Sequence, residues 1–412
     1  MIPVNFSNIN SFLHYGWLPR AEAAPPIPIE WLPTQTETAI PKYTDVANSL
    51  IESTSALIPK NEHVVVPLSG GLDSRAVLMS ALESTSNITA VTVGTPGTFD
   101  YDIPIKIAKS LGIQHEAIDL TQIEFDRETI SNVAKQTGDW TNILEVYCNL
   151  LIPLRYPDTP ILTGLLGDFL AGAYARQDSL DWDQAKVAFA ARGAGGTTGS
   201  LTHQDYDPIS ALPINKKIPI LNAYEELVFL VRHTCSFRPT LFENDFNCKL
   251  PFKNQQLIRS LLSLPPEQRY DQKYYINMLL DTWPTSFGYP CKNNIGLPLR
   301  VNKIRKLSRR VNLAARRRLS TPPRYHLYKL VFGTNFIEPN INYFDLRTVL
   351  QNSNMTNFLI SNLDQLKHVD INQEVNKILT NNLFSQQLSA NQFNSILRLV
   401  SLSLNIRSTY DK

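Results

Sequence analysis

From residue 45 onward the chain alternates between two hydrophobic periods. Residues 45–57 carry a helical pattern, and Val64, Val65 and Val66 then form an apolar run suited to a buried parallel strand. Ala76, Val77, Leu78, Ala81 and Leu82 continue as a largely buried helix. Residues 88–93, 114–120 and 160–163 give further strands, separated by helical stretches at 104–111, which Gly112 stops, and at 128–136 and 143–154. Such alternation predicts parallel strands with helices on both faces, a doubly wound α/β sheet. Pro67 falls at the end of its strand, where the missing N–H costs little. In open sheets of this kind ligands bind beyond the carboxyl ends of the strands, so the loop after Val66, Val93-Gly94 and Thr163-Gly164 share one edge.

Outside this core the pattern is less regular. Residues 1–41 are proline-rich and short on helical periodicity, which predicts an extended arm tied down by Phe12, Tyr15, Trp17 and Trp31. Residues 191–199 are loop-like and read as a passive insertion rather than a lid. Helices are expected at 223–235, 274–280 and 303–318. Beyond 321 the chain turns to Asn- and Gln-rich helices in which Phe393, Ile396, Leu397, Leu399 and Val400 pack. The expected organisation is an arm at 1–44, an α/β domain at 45–320 and a helical C-terminal extension at 321–412.

At 412 residues there is room for two or three modules, and 39 Lys and Arg against 37 Asp and Glu leave a net charge of +2, which argues against wholesale coating of nucleic acid. Cys148, Cys235, Cys248 and Cys291 form no CxxC pair, so neither a zinc site nor a disulfide scaffold is indicated, and a reducing compartment is expected. No run reaches bilayer-spanning length, and residues 1–20 lack the basic start and apolar core of a secretory signal. These features together predict a cytoplasmic protein.

The chemistry begins at residues 63–83, HVVVPLSGGLDSRAVLMSALE, which read as strand, anion-binding loop and helix. Gly70 and Gly71 can take positive φ and admit a ligand close to the main chain, with unpaired N–H groups pointing outward at the helix start. A turn of that type binds phosphate through a nest of amides and the positive end of the helix dipole. An extra anion at Asp73 fits only if a cation lies between it and the phosphates, which makes it a Mg²⁺ ligand. The plainer reading is a tight turn with Asp73 and Ser74 capping a helix. The string is not a Walker A loop, because no Gly-Lys-Ser/Thr follows the glycines. A second string, residues 161–174, ends a strand in Thr163-Gly164 and carries Asp168 in the next turn. This is what a second metal carboxylate at the same sheet edge requires, and two such carboxylates could hold Mg²⁺ between the β- and γ-phosphates.

The string Ser69-Gly70-Gly71-Leu72-Asp73-Ser74 resembles the pyrophosphate-binding loop of the ATP pyrophosphatase superfamily, and the leading Leu68 and internal Leu72 are similar to the asparagine synthetase branch. Thr163, Gly164, Asp168, Gly172 and Tyr174 occupy places of a second asparagine synthetase string, and Lys292, spaced from Pro284 as in that family, falls on its phosphate-contacting lysine. The resemblance spans about residues 45–299. It implies an adenine nucleotide alpha hydrolase-like fold that binds ATP and Mg²⁺, adenylates a substrate carboxylate with release of pyrophosphate, and passes the acyl group to ammonia or an amine. Leu68, Ser69, Gly70, Gly71 and Ser74 would hold the nucleotide's phosphates, Asp73 and Asp168 the metal, and Val93, Thr163 and Gly164 would lie near the adenosine. Lys292 would stabilise the adenylation transition state beside the metal-bearing Asp73.

Two departures narrow this picture. Leu165 stands where the family has a glutamate that deprotonates the incoming ammonium, leaving Glu145, Asp139 and Tyr147 as alternative groups or a different nucleophile. Residues 11–19 resemble the tail of the glutaminase domain that precedes the synthetase domain in that family, yet the chain begins Met1-Ile2 and has no cysteine before Cys148. The expected nucleophile is therefore free ammonia, an amine, or ammonia delivered by a separate protein. Relatives that cyclise β-lactams and lasso peptides or amidate sugar acids imply a dedicated biosynthetic role. Two rivals use the same loop: a sulfur-transfer or RNA-modifying ATP pyrophosphatase, and a nucleotide-binding pseudoenzyme. The basic run 303–318 reads either as a solvated face or as a docking surface for a carrier protein, an anionic glycan, membrane headgroups or RNA.

Overall fold

The computed structural model of the protein describes residues 6–19, 24–60, 62–123, 127–137, 140–175, 180–193, 201–237, 246–320, 324–332, 337, 339, 353–366 and 390–410. Five parallel strands, β1 Val64–Pro67, β2 Ile88–Gly94, β3 Gln114–Asp119, β4 Ile161–Leu162 and β5 Cys248–Lys249, form one sheet in the order β3-β2-β1-β4-β5. Val64 pairs with Ile88 on one side of β1, and Val65 with Ile161 on the other. The chain moves outward through β1, β2 and β3, then returns to lay β4 against the opposite side of β1. A crevice opens at the carboxyl edge where the order reverses, between β1 and β4.

Helices α1 Phe6–Tyr15 and α2 Tyr43–Ala56 precede the sheet, and α3 Asp73–Leu82, α4 Phe99–Leu111, α5 Arg127–Thr137 and α6 Ile143–Arg155 join its first four strands. Helices α7 Gly167–Leu170, α8 Trp182–Gly193 and α9 Ala223–Leu227 lie between β4 and β5. The last of these continues through Val228–Phe237 with π-type turns. After β5 come α10 Gln255–Leu262, α11 Lys273–Thr282, α12 Lys303–Leu319, α13 Tyr325–Phe332, α14 Ser353–Gln365 and α15 Ala390–Tyr410. Among the described residues no helix is long and apolar enough to cross a membrane.

The alternation of side chains in β1 divides the core. Val64 and Val66 pack into a large cluster with Leu50 of α2, Ala76 and Val77 of α3 and Leu261 of α10. Val65 faces the other way, toward Val91, Ile152 and Ile161. A strand apolar on both faces is the signature of a parallel sheet covered on both sides, and it explains the unbroken valine run. Pro67 does end β1, and the next N–H, that of Leu68, donates to Val91 O at 2.8 Å. Gly112 closes α4 with φ 66°, the left-handed geometry that a glycine tolerates. Strand β5 has only two residues and offered no period to read.

The N-terminal arm is corrected by the structure. Residues 6–15 form a helix, with Phe12 and Leu13 buried in one cluster with Ile396, Leu399 and Val400 of α15. Ile9, Phe12 and Leu13 make a short i, i+3, i+4 stripe that the neighbouring Asn and Ser residues and the prolines downstream disguise. Residues 191–193, read as loop, are the last turn of α8, while 194–199 lie outside the described residues, as does the side chain of Phe393. Arg398 of α15 locks these ends together. Its Nη1 donates to Leu13 O at 2.9 Å and to His14 O, and its Nη2 to Gly193 O at 2.9 Å. These are carbonyls at the ends of α1 and α8, which an intrahelical ladder leaves unpaired. Arg398→Met should lower unfolding stability by about 1–3 kcal/mol, since it strands part-buried carbonyls. Urea unfolding would measure this.

Candidate functional site

The loop between β1 and α3 is shaped by its own side chains and by two distant segments. Ser69 N–H donates to Ser74 Oγ at 3.1 Å, Gly71 N–H to Ser69 Oγ at 3.3 Å, and Gly70 N–H to Asp100 Oδ1 at 3.0 Å. The expected row of unpaired amides is therefore not present at these three positions. Nor do Gly70 and Gly71 take positive φ. Gly70 is required by proximity instead, because a Cβ there would stand 2.5 Å from Phe99 O. At Gly71 an added Cβ would meet Ser69 Oγ at 3.4 Å and Asn293 Oδ1 at 4.0 Å, ordinary contacts that do not demand a glycine. Two of the three amide bonds end on serine hydroxyls, which can turn toward a phosphate.

A cavity of about 380 Å³ occupies the switch point. Leu68, Ser69, Gly71, Asp73 and Ser74 line it from the β1 loop, Val93 from β2, and Thr163, Gly164, Leu165 and Asp168 from the β4 loop. Gly70 and Lys292 are not among the lining residues. The two loops touch through glycines: a Cβ on Gly164 would lie 2.6 Å from Ser74 N, and one on Gly167 would lie 2.7 Å from the Asp73 Cβ and Cγ. Leu166, between them, adopts φ 71°. Such strain in a residue with a Cβ costs about 1–3 kcal/mol and persists where surrounding packing dictates it.

This packing buries Asp73. Its Oδ1 has no hydrogen-bond partner, and its pKa is pushed up to about 8, first by burial and then by the Asp168 charge, against an opposing influence from Tyr275. The Tyr275 hydroxyl is close enough to be felt, but it does not meet hydrogen-bond geometry with that oxygen. Asp168 is better satisfied. Tyr174 donates its hydroxyl to Asp168 Oδ2 at 2.5 Å, the Phe169 N–H donates to Oδ1 at 2.8 Å, and Arg232 Nη1 donates to the Tyr174 hydroxyl at 2.6 Å. His233 lies 4.0 Å from Asp168 Oδ1, and burial lowers its pKa to about 4, so it is neutral at ordinary pH.

A buried carboxylate oxygen without a partner, beside a second carboxylate and two serine hydroxyls, is a hard oxygen-donor set that fits Mg²⁺. Among the described residues no group of three or more His, Cys, Asp or Glu could hold a metal by itself. The residues therefore fit a cation that completes its shell with phosphate oxygens and water, as Mg²⁺ does.

Lys292 approaches the loop from behind. Its N–H donates to Gly70 O at 2.8 Å, and its Nζ contacts Asp100 Oδ2 at 2.5 Å. Arg75, fully buried one turn into α3, donates to Ser286 O at 3.1 Å and Pro290 O at 2.8 Å and so fastens the segment leading to Lys292. Asp100, Arg75, Arg232 and Tyr275 are the supporting residues that sequence reasoning missed, and nothing in their local sequence distinguishes them. Of the groups considered in place of a glutamate at Leu165, Glu145 lines the cavity and burial raises its pKa, with Arg232 opposing. Tyr147 is buried in the neighbouring apolar cluster, and Asp139 lies outside the described residues.

A doubly wound parallel sheet with a loop of serine hydroxyls and two carboxylates at its switch point defines an α/β protein with a polar cavity where such sheets bind ligands. Residues 45–211 match the model of the family described as asparagine synthase, which takes in the first four strands, the loop at 69–74 and Asp168, and ends before Lys292. That family uses ATP. No curated protein matches the chain.

The burial of Asp73 has a pH signature in the metal-free protein. Between the ordinary carboxyl value of 3.8 and about 8, the folded state holds a proton that the unfolded chain releases. Stability should fall as pH rises through that window and level off above it. Asp73→Asn should flatten this fall and leave the variant more stable than the parent at the alkaline end. Urea unfolding in a chelator at both ends of the window would test it.

Proposed function

We propose that the protein adenylates a substrate carboxylate with ATP, releasing pyrophosphate, and transfers the acyl group to ammonia or an amine. The observation that carries this reading is the convergence of Ser69, Ser74, Asp73 and Asp168 in one cavity at the sheet's switch point. The match to the asparagine synthase family over 45–211 supports the same chemistry.

The residues divide the work. Ser69, Gly71 and Ser74 receive the pyrophosphate portion at the start of α3, where the helix dipole favours anionic charge. Val93, Thr163 and Gly164, on the neighbouring strand ends, flank the nucleoside. Asp73 and Asp168 hold Mg²⁺, which when bound neutralises charge on the phosphate oxygens. Lys292 adds a cation against the loop, and the Asp100 carboxylate keeps it registered to Gly70. A positioned cation of this kind offsets charge that builds as the carboxylate attacks the α-phosphorus and pyrophosphate departs.

The second half-reaction needs a proton acceptor. Leu165 lines the cavity and cannot take a proton, whereas Glu145 on α6 faces the same space and can. The nitrogen arrives free or from a separate ammonia-supplying or carrier protein, and the setting is a biosynthetic pathway in a reducing cytoplasm. Cys148, Cys235, Cys248 and Cys291 are free thiols, in keeping with that setting.

Incubation of the protein with ATP, Mg²⁺ and a panel of amino acids, uronic acids and peptides should yield AMP and pyrophosphate with an accepted carboxylate. Phosphorus NMR distinguishes these products from ADP and phosphate, and ADP would overturn the reading. Asp73→Ala and Lys292→Ala should each lower turnover by about 10²–10³-fold. Asp100→Ala, which removes the shared support for Lys292 and the Gly70 N–H, should fall between them and the parent.

A further inference from the structure

Helix α12 is built inside out. Its inward face, at 306, 309, 313 and 316, is three cations around a single buried leucine, Leu313. Arg309 Nε donates to Ile295 O at 3.3 Å and Arg316 Nη2 to the Tyr328 hydroxyl at 2.9 Å, so polar bonds secure that face to the body of the protein. The apolar face points into solvent. Ile304, Leu307 and Val311, at helical spacing, are 80%, 61% and 60% exposed. In the next helix Leu330 and Val331 are also exposed, at 83% and 62%.

Charge surrounds the stripe. Helix α12 carries eight Lys and Arg and no acidic residue, although the whole chain is only +2, so the remainder is net negative. Lys303, Arg310 and Arg317 recur every seven residues along one border of the apolar stripe. Among the described residues no carboxylate pairs with Lys303, Arg305 or Arg310.

We propose that α12 docks the protein peripherally on an anionic lipid surface, lying in the headgroup plane with Ile304, Leu307 and Val311 inserted and the flanking cations on the lipid phosphates. Three physical points select this occupant. A second copy of the helix would set eight cations against eight. RNA would engage the cations but leave an aliphatic stripe in water, since bases stack on aromatic and guanidinium faces. An acidic protein would have to supply a groove for a convex ridge, whereas the interface of a bilayer accepts an amphipathic helix without one. Because Arg309 is bonded to Ile295, in the loop that presents Lys292, docking would hold the candidate site against the membrane. The inference does not depend on the adenylation chemistry.

Co-sedimentation of the full chain with phosphatidylcholine vesicles, with and without about one third phosphatidylglycerol, tests it. Binding is expected to the anionic vesicles alone, and to weaken as salt is raised. The triple variant Ile304→Ser, Leu307→Ser, Val311→Ser should lose binding by roughly tenfold or more with its charges intact, and Lys303→Gln with Arg310→Gln should do the same with its stripe intact. These side chains are exposed, so thermal unfolding should not change. In a separate variant, Leu307→Trp, indole emission should shift to the blue on anionic vesicles and be quenched by brominated lipid. Absence of vesicle binding, binding indifferent to the apolar triple, an unshifted indole, or preference for RNA or polyglutamate over vesicles would each overturn the proposal.

Discussion

The site depends on how closely the turn after β4 is pressed against the first turn of α3. Gly164 sits over Ser74 N and Gly167 over the Asp73 side chain, at distances where no Cβ could stand. This contact removes Asp73 from water and leaves one oxygen without a hydrogen bond. Burying an ionisable group unpaired is expensive, and the response is the upward shift of its pKa. The folded protein therefore carries a local instability that a cation would relieve. Leu166, held at φ 71° between the two glycines, is part of the same cost. The sheet order makes the contact possible, because only the β1–β4 reversal brings these two loops side by side.

Around that contact, charge is distributed through intermediaries rather than direct pairs. Asp168 is bound by a tyrosine, and the tyrosine by Arg232. Gly70 and Lys292 both end on Asp100, one through its N–H and the other through its ammonium group. Arg75 contributes no charge to the cavity. Its guanidinium is fully buried and spends its bonds on main-chain carbonyls near Pro290, which converts a loop into a fixed platform for Lys292. A buried cation bonded to carbonyls through its two terminal nitrogens, with its Nε unpartnered, gains little net stability, so its value is in geometry.

What the sequence made legible follows from the range over which each feature is determined. The sheet could be read because valine runs and helical periods are local, and Ser69, Asp73 and Asp168 because their roles lie within short strings next to strand ends. Asp100 could not be read as support for Gly70 and Lys292, which are 30 and 192 residues away. Arg75 reaches carbonyls more than 200 residues downstream. The glycines were recognised but given the wrong cause: the chain needs Gly70 for an approach to Phe99, not for its φ. Helix α1 was lost for the opposite reason, since its stripe of three residues is completed by distant partners, Trp140 and α15 at the far end of the chain.

For the proposed reaction, the walls of the cavity offer a candidate base in place of a glutamate at Leu165. Val91, Val93, Val146 and Ile152 make one side apolar, and the serines and aspartates make the other polar. Leu165 lines the same cavity as Asp73 and Asp168. Besides Asp73 and Asp168, Glu145 is the carboxyl among the described lining residues. Burial raises its pKa, and Arg232 pulls it back down. In the proposed reaction a general base must both take and release a proton, and opposed influences of this kind serve that better than burial alone. Arg232 also donates to the tyrosine that holds Asp168. One guanidinium thus influences both carboxyls of the proposed chemistry, Asp168 through Tyr174 and Glu145 through its charge.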